Sequence, residues 1–371
     1  MRVLACHLLN DYSGSPKVLK QLLKGWVKNN LEVHLFTCGG REGFLSNLTG
    51  VKYHNFWYAF TKNPYLRLVF LLVSQLLLML KVLTKAQKDD IIYVNTVLPF
   101  GAAIAGKIRG IRVIYHIHET SIKPAILKKI LFGIVERTAD QVVYVSNYLA
   151  NEGLVSSVKS VVLHNAIEED WYRGKKQKEK HHNQEKHVLM VCSLKAYKGV
   201  NEYIELARSC PDYVFSLVMN SSQNEIDAYF KSTDLPRNLR LFDTQTNLHP
   251  FYNQAHVVLN LSKPDGWVET FGLTIIEAMA YQLPAIIPPV GGITELVSDG
   301  INGYRVNSTN LKDLKEKLEL LLENPSIYNL LSLQAEKKFE QFREGAFIKK
   351  SLQILAIPSA ASFQMSESNS R

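Results

Sequence analysis

Short apolar runs of strand length alternate with longer segments of helical period along most of the chain. This alternation restricts the fold more than any other feature, because it is the pattern of a parallel α/β sheet. In the first part RVLACHLL, EVHLFT, IIYVNT, RVIYHIH, QVVYVS and SVVLHN read as strands, with helices such as SPKVLKQLLKGWVKN between them. Pro16 suits the first turn of that helix. The stretch WYRGKKQKEKHHNQEKH is polar, basic and aperiodic, and then the alternation restarts with HVLMVCSL, YVFSLVMN, LRLFD, HVVLNLS and PAIIPP. Two successive doubly wound halves follow. The expected boundaries are a first domain at 1–170, a linker at 171–187, a second domain at 188–340, a terminal helix at 341–357 and a disordered tail at 358–371.

Composition narrows the functional classes. The 371 residues are 46% hydrophobic and 21% charged, which is globular usage. The net charge of +9 is unevenly placed: residues 1–186 hold 26 Lys and Arg against 14 Asp and Glu, and the remainder 17 against 20. A basic first half suits an anionic membrane or a phosphorylated substrate. No zinc-knuckle spacing, recognition helix or RNA-binding aromatic pattern supports nucleic acid as a partner. Cys6, Cys38, Cys192 and Cys210 form no CxxC pair and read as free thiols of a reducing compartment. The first residues carry too short an apolar run for a signal peptide, so a cytoplasmic location is expected.

Residues 65–83, YLRLVFLLVSQLLLMLKVL, are apolar enough to raise the question of a membrane span. Arg67, Ser74, Gln75 and Lys81 interrupt the run, and the preferred reading is a buried or partly buried helix of the first domain. A surface-seated amphipathic helix is the second reading. The same choice applies to residues 123–137, where Lys128, Lys129 and Arg137 accompany Ile126, Leu127, Ile130, Leu131 and Ile134.

The chemistry concentrates in PDGWVETFGLTIIEAMA, residues 264–280. In open α/β sheets ligands bind beyond the carboxyl ends of strands, where helix N-termini gather. Here a strand, a loop and a helix bring Phe271, Gly272 and Leu273 to that place, and their backbone N–H groups form an anion site. Gly272 lets a phosphate approach with no Cβ in the way. Glu277 lies one turn past Leu273 on the same helical face. Glu269 and Glu277 would be about 12 Å apart if the segment were helical throughout, a span that suits a sugar and a ribose joined by a diphosphate. Gly291 and Gly292 open a second expected helix beside the first.

ETFGLTIIEAMA, followed by QLPAIIPPVGGITELVSDGING, resembles the retaining GT-B glycosyltransferases of family 4. The resemblance covers most of the chain and is strongest at 256–306. It implies two Rossmann-like doubly wound domains facing a central cleft, an acceptor on the first and a nucleotide-sugar donor on the second. By the family pattern Glu269 contacts the transferred sugar, the amides of Phe271, Gly272 and Leu273 the diphosphate, and Glu277 the ribose. VLMVCSLKAYKGV matches the segment that sets a basic pair on the diphosphate, which selects Lys198 and Gly199. Ser193 stands where the family usually carries Arg, and Lys195 is the nearest substitute. LFDTQTNLHPFYNQA is similar to the base-reading segment, around Thr244 and Gln245, although VMNSSQNE lacks the glycine pair often found upstream. In the first domain Gly14 and Ser15 match the glycine-containing loop on the donor phosphate, and His118, after His116 in VIYHIHET, matches the histidine near the reacting sugar. Asn165 marks the exit of the first domain.

The resemblance implies retention, with His118 and Glu269 as catalytic residues that orient the sugar. No DxD triplet and no metal-spaced His/Cys cluster is present, so neither a metal nor another cofactor is expected. The acceptor expected is a glycan, lipid-linked at the inner face of a membrane, with peripheral contact to anionic lipid. Two other readings stay open: a GT-B-like nucleotide-sugar epimerase, and a catalytically silent binding subunit, prompted by Ser193.

Overall fold

A computed structural model describes residues 1–174 and 185–356. The expected tail at 358–371 and most of the expected linker lie outside the described residues. The chain divides into two compact units, one of Met1–His164 with Gly345–Arg371 and the other of Asn165–Glu344.

In chain order unit 1 contains β1 (Arg2–Cys6), α1 (Gly14–Lys28), β2 (Glu32–Cys38), β3 (Val51–Phe56), α2 (Pro64–Lys85), β4 (Ile91–Asn95), α3 (Phe100–Arg109), β5 (Arg112–Ile117), α4 (Ala125–Thr138), β6 (Gln141–Tyr144), α5 (Asn147–Asn151) and β7 (Ser160–Val162). The strands form one parallel sheet in the order β3-β2-β1-β4-β5-β6-β7. β1 and β4 to β6 are buried along almost their whole length, so the helices must cover both faces of the sheet.

Unit 2 contains α6 (Glu169–Arg173), β8 (His187–Ser193), α7 (Val200–Ser209), β9 (Val214–Asn220), α8 (Gln223–Phe230), β10 (Leu239–Phe242), α9 (His249–Gln254), β11 (Val257–Leu259), α10 (Leu273–Ala280), β12 (Ala285–Ile287), β13 (Gly303–Arg305), α11 (Leu311–Glu323) and α12 (Pro325–Phe339). The last helix, α13 (Glu344–Ala356), belongs to unit 1. There Ile348 packs on Gly25, Trp26 Nε1 donates to Ser351 Oγ at 3.1 Å, and Arg112 donates to the carbonyls of Ile354 and Leu355. The sheet of unit 2 is also parallel, in the order β10-β9-β8-β11-β12-β13. Its core joins Tyr203, Phe215, Leu217, Val257 and Ile286 with the inner faces of α7 and α11.

Each strand read from the sequence is present, and β3 and β13 are additional. Cys6, Cys38 and Cys210 are buried and all four cysteines are free. Two expectations change. The segment at Gly291 and Gly292 forms only a single 3-10 turn, Gly292–Glu295. Gly14 is the first residue of α1 rather than a loop residue. Within the reading for residues 65–83, α2 is partly buried rather than buried. Only Leu71, Ser74, Gln75, Leu78 and Val82 are buried, while most of its leucines face outward.

Candidate active site

In unit 2 the connections from β8 run outward through β9 to β10, and those from β11 run the other way to β12 and β13. The strand order therefore reverses between β8 and β11, and the loops after these two strands bound the crevice where open α/β sheets take ligands. The loop after β8 ends in a 3-10 turn, Ala196–Lys198, closed by Gly199 at φ +78°. A Cβ on Gly199 would sit 2.2 Å from the Leu261 carbonyl oxygen, so the two loops touch through backbone. This contact sets Lys198 beside the loop after β11.

There the Lys198 ammonium forms an ion pair with Glu269 Oε1, and Ser262 Oγ donates to the same oxygen at 2.8 Å. Both charged side chains are only 15% exposed. Desolvation strengthens such a pair and makes either member costly to leave alone. Trp267 and Tyr197 stack face to face with centroids 5.8 Å apart, and the Lys198 ammonium lies 5.4 Å from the Trp267 ring. A cation over an indole face gains further electrostatic attraction. Past Glu269 the chain turns at Gly272, φ +119°, into α10, which has no side-chain N-cap. A Cβ on Gly272 would press on Ile293 at 2.9 Å, and one on Gly291 would meet the Glu269 carbonyl oxygen at 2.5 Å. The 3-10 turn thus braces the loop that carries Glu269.

The structure therefore brings together Lys198, Gly199, Glu269, Phe271, Gly272 and Leu273. Phe271 is itself buried. Glu277 lies one turn inside α10, 2% exposed, and its Oε2 accepts a 2.7 Å bond from Tyr252 Oη. Burial and the adjacent Glu277 carboxylate hold the Tyr252 phenol well above its usual pKa, so it stays a donor. Thr244 and Gln245 follow β10 at the same strand-end edge of the sheet. Thr244 N–H donates to the Ser221 carbonyl at 3.1 Å, and Gln245 Nε2 donates to Asp243 Oδ1 at 2.8 Å. Ser193 ends β8, and Lys195 is exposed.

Unit 1 reverses its strand order between β1 and β4, and the polar residues at those strand ends again converge. Asn95, the last residue of β4, is fully buried. Its Nδ2 donates to the Ser15 carbonyl at 3.2 Å and to His7 Nδ1 at 3.1 Å, and its Oδ1 accepts from His118 Nε2 at 2.9 Å. The Ser15 carbonyl can only accept, so it fixes which way the Asn95 amide points. His118 must then donate from Nε2, while His7 Nδ1 lies within hydrogen-bond reach of both Asn95 Nδ2 and, at 3.3 Å, the Asn95 backbone carbonyl. His118 and His116 rings lie 4.2 Å apart. Burial holds His7 down to about 4 and His116 to about 3, and burial with the neighbouring rings holds His118 well below the usual value. The adjacent Glu119 carboxyl is raised by burial to about 7. Gly14 and Ser15 form the first turn of α1 beside this group.

Ser262, Asn95 and His7 were not singled out in the sequence. The available signal was a polar residue at the end of an apolar strand, HVVLNLS, IIYVN and RVLACH, which is common and names no partner. Among the described residues no group of three or more His, Cys, Asp or Glu is placed to hold a metal ion.

The model of glycosyl transferases group 1 matches residues 173–338, and that of glycosyltransferase family 4 matches residues 12–171. The chain is 26% identical over 368 residues to the N-acetyl-alpha-D-glucosaminyl L-malate synthase of Bacillus anthracis, covering 91% of this chain and 92% of that protein. It is 26% identical over 173 residues to the N,N'-diacetylbacillosaminyl-diphospho-undecaprenol alpha-1,3-N-acetylgalactosaminyltransferase of Campylobacter jejuni, covering 45% of this chain and 43% of that one. Among solved structures, Anabaena HepE in complex with UDP and glucose aligns with a TM-score of 0.80 at 18% identity, over 96% of this chain and all of that one. Together the two family models span most of the chain, and the paired parallel sheets agree with the solved fold. The chain belongs to the glycosyltransferases of group 1 and family 4, and its fold is the α/β GT-B fold.

Proposed function

We propose that the protein moves a sugar, with retention and without a metal ion, from a UDP- or GDP-sugar to a lipid-linked glycan of bacterial surface-polysaccharide type at a membrane surface. The observation that carries this reading is the Lys198–Glu269–Ser262 cluster at the β8/β11 reversal, directly ahead of the uncapped N-terminus of α10. Lys198, Gly199 and the amides of Phe271, Gly272 and Leu273 meet the diphosphate, where negative charge builds as the bond to the sugar breaks. Glu269 orients the sugar hydroxyls, Glu277 the ribose, and Thr244 and Gln245 the base. In unit 1, Gly14 and Ser15 are assigned to the donor phosphate and His118, neutral and donating to Asn95, to the sugar. The acceptor hydroxyl attacks C1 on the face that the diphosphate leaves, and its proton passes to the departing phosphate oxygen. The UDP and glucose bound by HepE support the UDP arm, and the diphospho-undecaprenol name of the Campylobacter relative supports the lipid-linked acceptor.

The test is steady-state turnover of UDP- and GDP-sugars with and without EDTA. Glu269→Gln is expected to lower kcat about 100-fold, as loss of a transition-state contact does. Glu277→Gln, which keeps an acceptor for Tyr252, is expected to raise the donor KM about tenfold at nearly unchanged kcat. Wild-type kinetics in both variants would reject the site. Loss of activity in EDTA would reject metal independence, and an isomerised donor formed without any acceptor would favour the epimerase reading.

A further inference from the structure

We propose that α2 is an interfacial helix whose outward face lies in the headgroup region of an anionic bilayer. The observation is a helix apolar on both sides: Leu71, Leu78 and Val82 are buried against the unit, and the outward face is apolar as well. Its interior polar residues, Ser74 and Gln75, are 0% and 2% exposed, while Leu66, Val69, Leu72, Val73, Leu76 and Leu80 are each 42–54% exposed. A helix on a water-facing surface places its apolar stripe inward and its polar residues outward. Here the inward side is chosen by contact with α3. Gln75 Oε1 accepts from the Gly101 N–H at 3.0 Å, an N-terminal amide of α3 that has no partner inside its own helix, and Ser74 Oγ donates to the Leu71 carbonyl at 2.7 Å. A Cβ on Gly101 would fall 2.1 Å from the Gln75 carbonyl oxygen, so the two helices meet backbone to backbone at this point. With the Ser74–Gln75 side held against α3, most of the leucines are directed away from the unit. α2 is long and apolar enough to cross a membrane. Yet it joins β3 to β4 within one sheet and is fixed along one side, so it can lie on a bilayer and cannot span one while the unit is folded.

The surrounding chemistry selects the occupant. Between Gly43 and Lys88 the chain contains no Asp or Glu and six basic residues: Lys52, Lys62, Arg67, Lys81, Lys85 and Lys88. Juxtamembrane Lys and Arg are attracted to anionic headgroups. Trp57, Phe60 and Tyr65 are 47%, 54% and 81% exposed around the helix N-terminus, and aromatic rings favour the water–hydrocarbon boundary. A second copy of the chain is the competing occupant. A two-fold contact through this patch would set two all-basic segments against each other, which like-charge repulsion opposes. This inference deepens the lipid-linked acceptor reading and rests on it, while the experiment separates the two.

The full-length protein is floated with vesicles of 70% phosphatidylcholine and 30% phosphatidylglycerol, and with vesicles of phosphatidylcholine alone. Bound fraction should be at least tenfold higher on the anionic vesicles. It should fall at least tenfold in Leu72→Glu/Leu76→Glu and severalfold in Arg67→Glu/Lys85→Glu. All four substituted side chains are exposed, so the Tm should remain within a few degrees of wild type, and turnover of donor with a soluble acceptor should be unchanged. Equal flotation of wild type and Leu72→Glu/Leu76→Glu, or no flotation of wild type, overturns the proposal. A dimer seen by light scattering that Leu72→Glu/Leu76→Glu dissociates, without vesicle binding, overturns it in favour of a second copy. Flotation with no transfer to a lipid-linked acceptor rejects the functional reading and leaves the surface standing. Transfer without flotation does the reverse.

Discussion

Gly199 is constrained twice. Its φ of +78° lies in the left-handed region, and the Leu261 carbonyl occupies the place a Cβ would take. Gly199→Ala should cost about 2–5 kcal/mol, summing backbone strain and overpacking. Calorimetry should register a lowered Tm for unit 2, and donor affinity should fall if the directly preceding Lys198 meets the diphosphate as proposed. A different residue-scale effect arises in unit 1, where His7, His116 and His118 are all held neutral by burial. Their folded pKa values lie below the unfolded value of about 6.5. The unfolded chain therefore binds more protons below that pH, and stability falls as pH drops from about 6.5 towards 4. Glu119 acts oppositely, because its folded pKa is raised to about 7 and its contribution is greatest in acid. Three histidines against one carboxyl leave a net loss of stability on acidification, of order 1–3 kcal/mol per pH unit. Chemical denaturation at pH 7 and pH 5.5 checks the sign; a more stable unit 1 at pH 5.5 would contradict it. Glu269 and Gly272 were legible as candidates because they sit in a strand–loop–helix segment whose spacing carries meaning, and Lys198 and Gly199 only through the family resemblance. Asn95 and Ser262 were not, since one polar residue at a strand end acquires its partners only when other strands arrive beside it.

At the scale of elements, the central strands were readable because burial on both faces demands continuous apolar runs. β3 was missed because it is an edge strand, and most of VKYHNF is exposed or partly exposed. β13 is three residues long and was hidden beside the turn that precedes it. α2 was legible as a helix, but which of its faces turns inward was not. Composition ranks Leu above Gln for burial, whereas here one hydrogen bond to the start of α3 and one close backbone approach decide the orientation. Gln75→Leu should therefore destabilise the protein despite adding apolar surface. It leaves the buried Gly101 N–H without its acceptor, a loss of about 1–3 kcal/mol. Urea titration of Gln75→Leu beside Leu76→Gln tests this: the exposed substitution should be near neutral and the buried one should not.

At the scale of the whole molecule, unit 1 is closed by a helix from the far end of the chain. On α13, Ile348, Ile354 and Leu355 are buried, and their burial is worth roughly 4–9 kcal/mol in total, comparable with the stability of an entire domain. Removing residues 345–371 should abolish the cooperative melting of unit 1 and leave that of unit 2 in place. Two unchanged transitions in calorimetry would show that α13 is dispensable. The sequence by itself determined the α/β class and the two parallel sheets, and it singled out 264–280 as the candidate segment. These follow from local periodicity and from residues close together in the chain, where short-range sterics and hydrogen bonding decide. Only the tertiary structure decided that Lys198 pairs with Glu269, that Asn95 sets the proton position of His118, and that α2 turns most of its leucines outward. Each depends on which distant backbone lies within a few ångströms, and that is fixed by packing rather than by any one stretch of sequence.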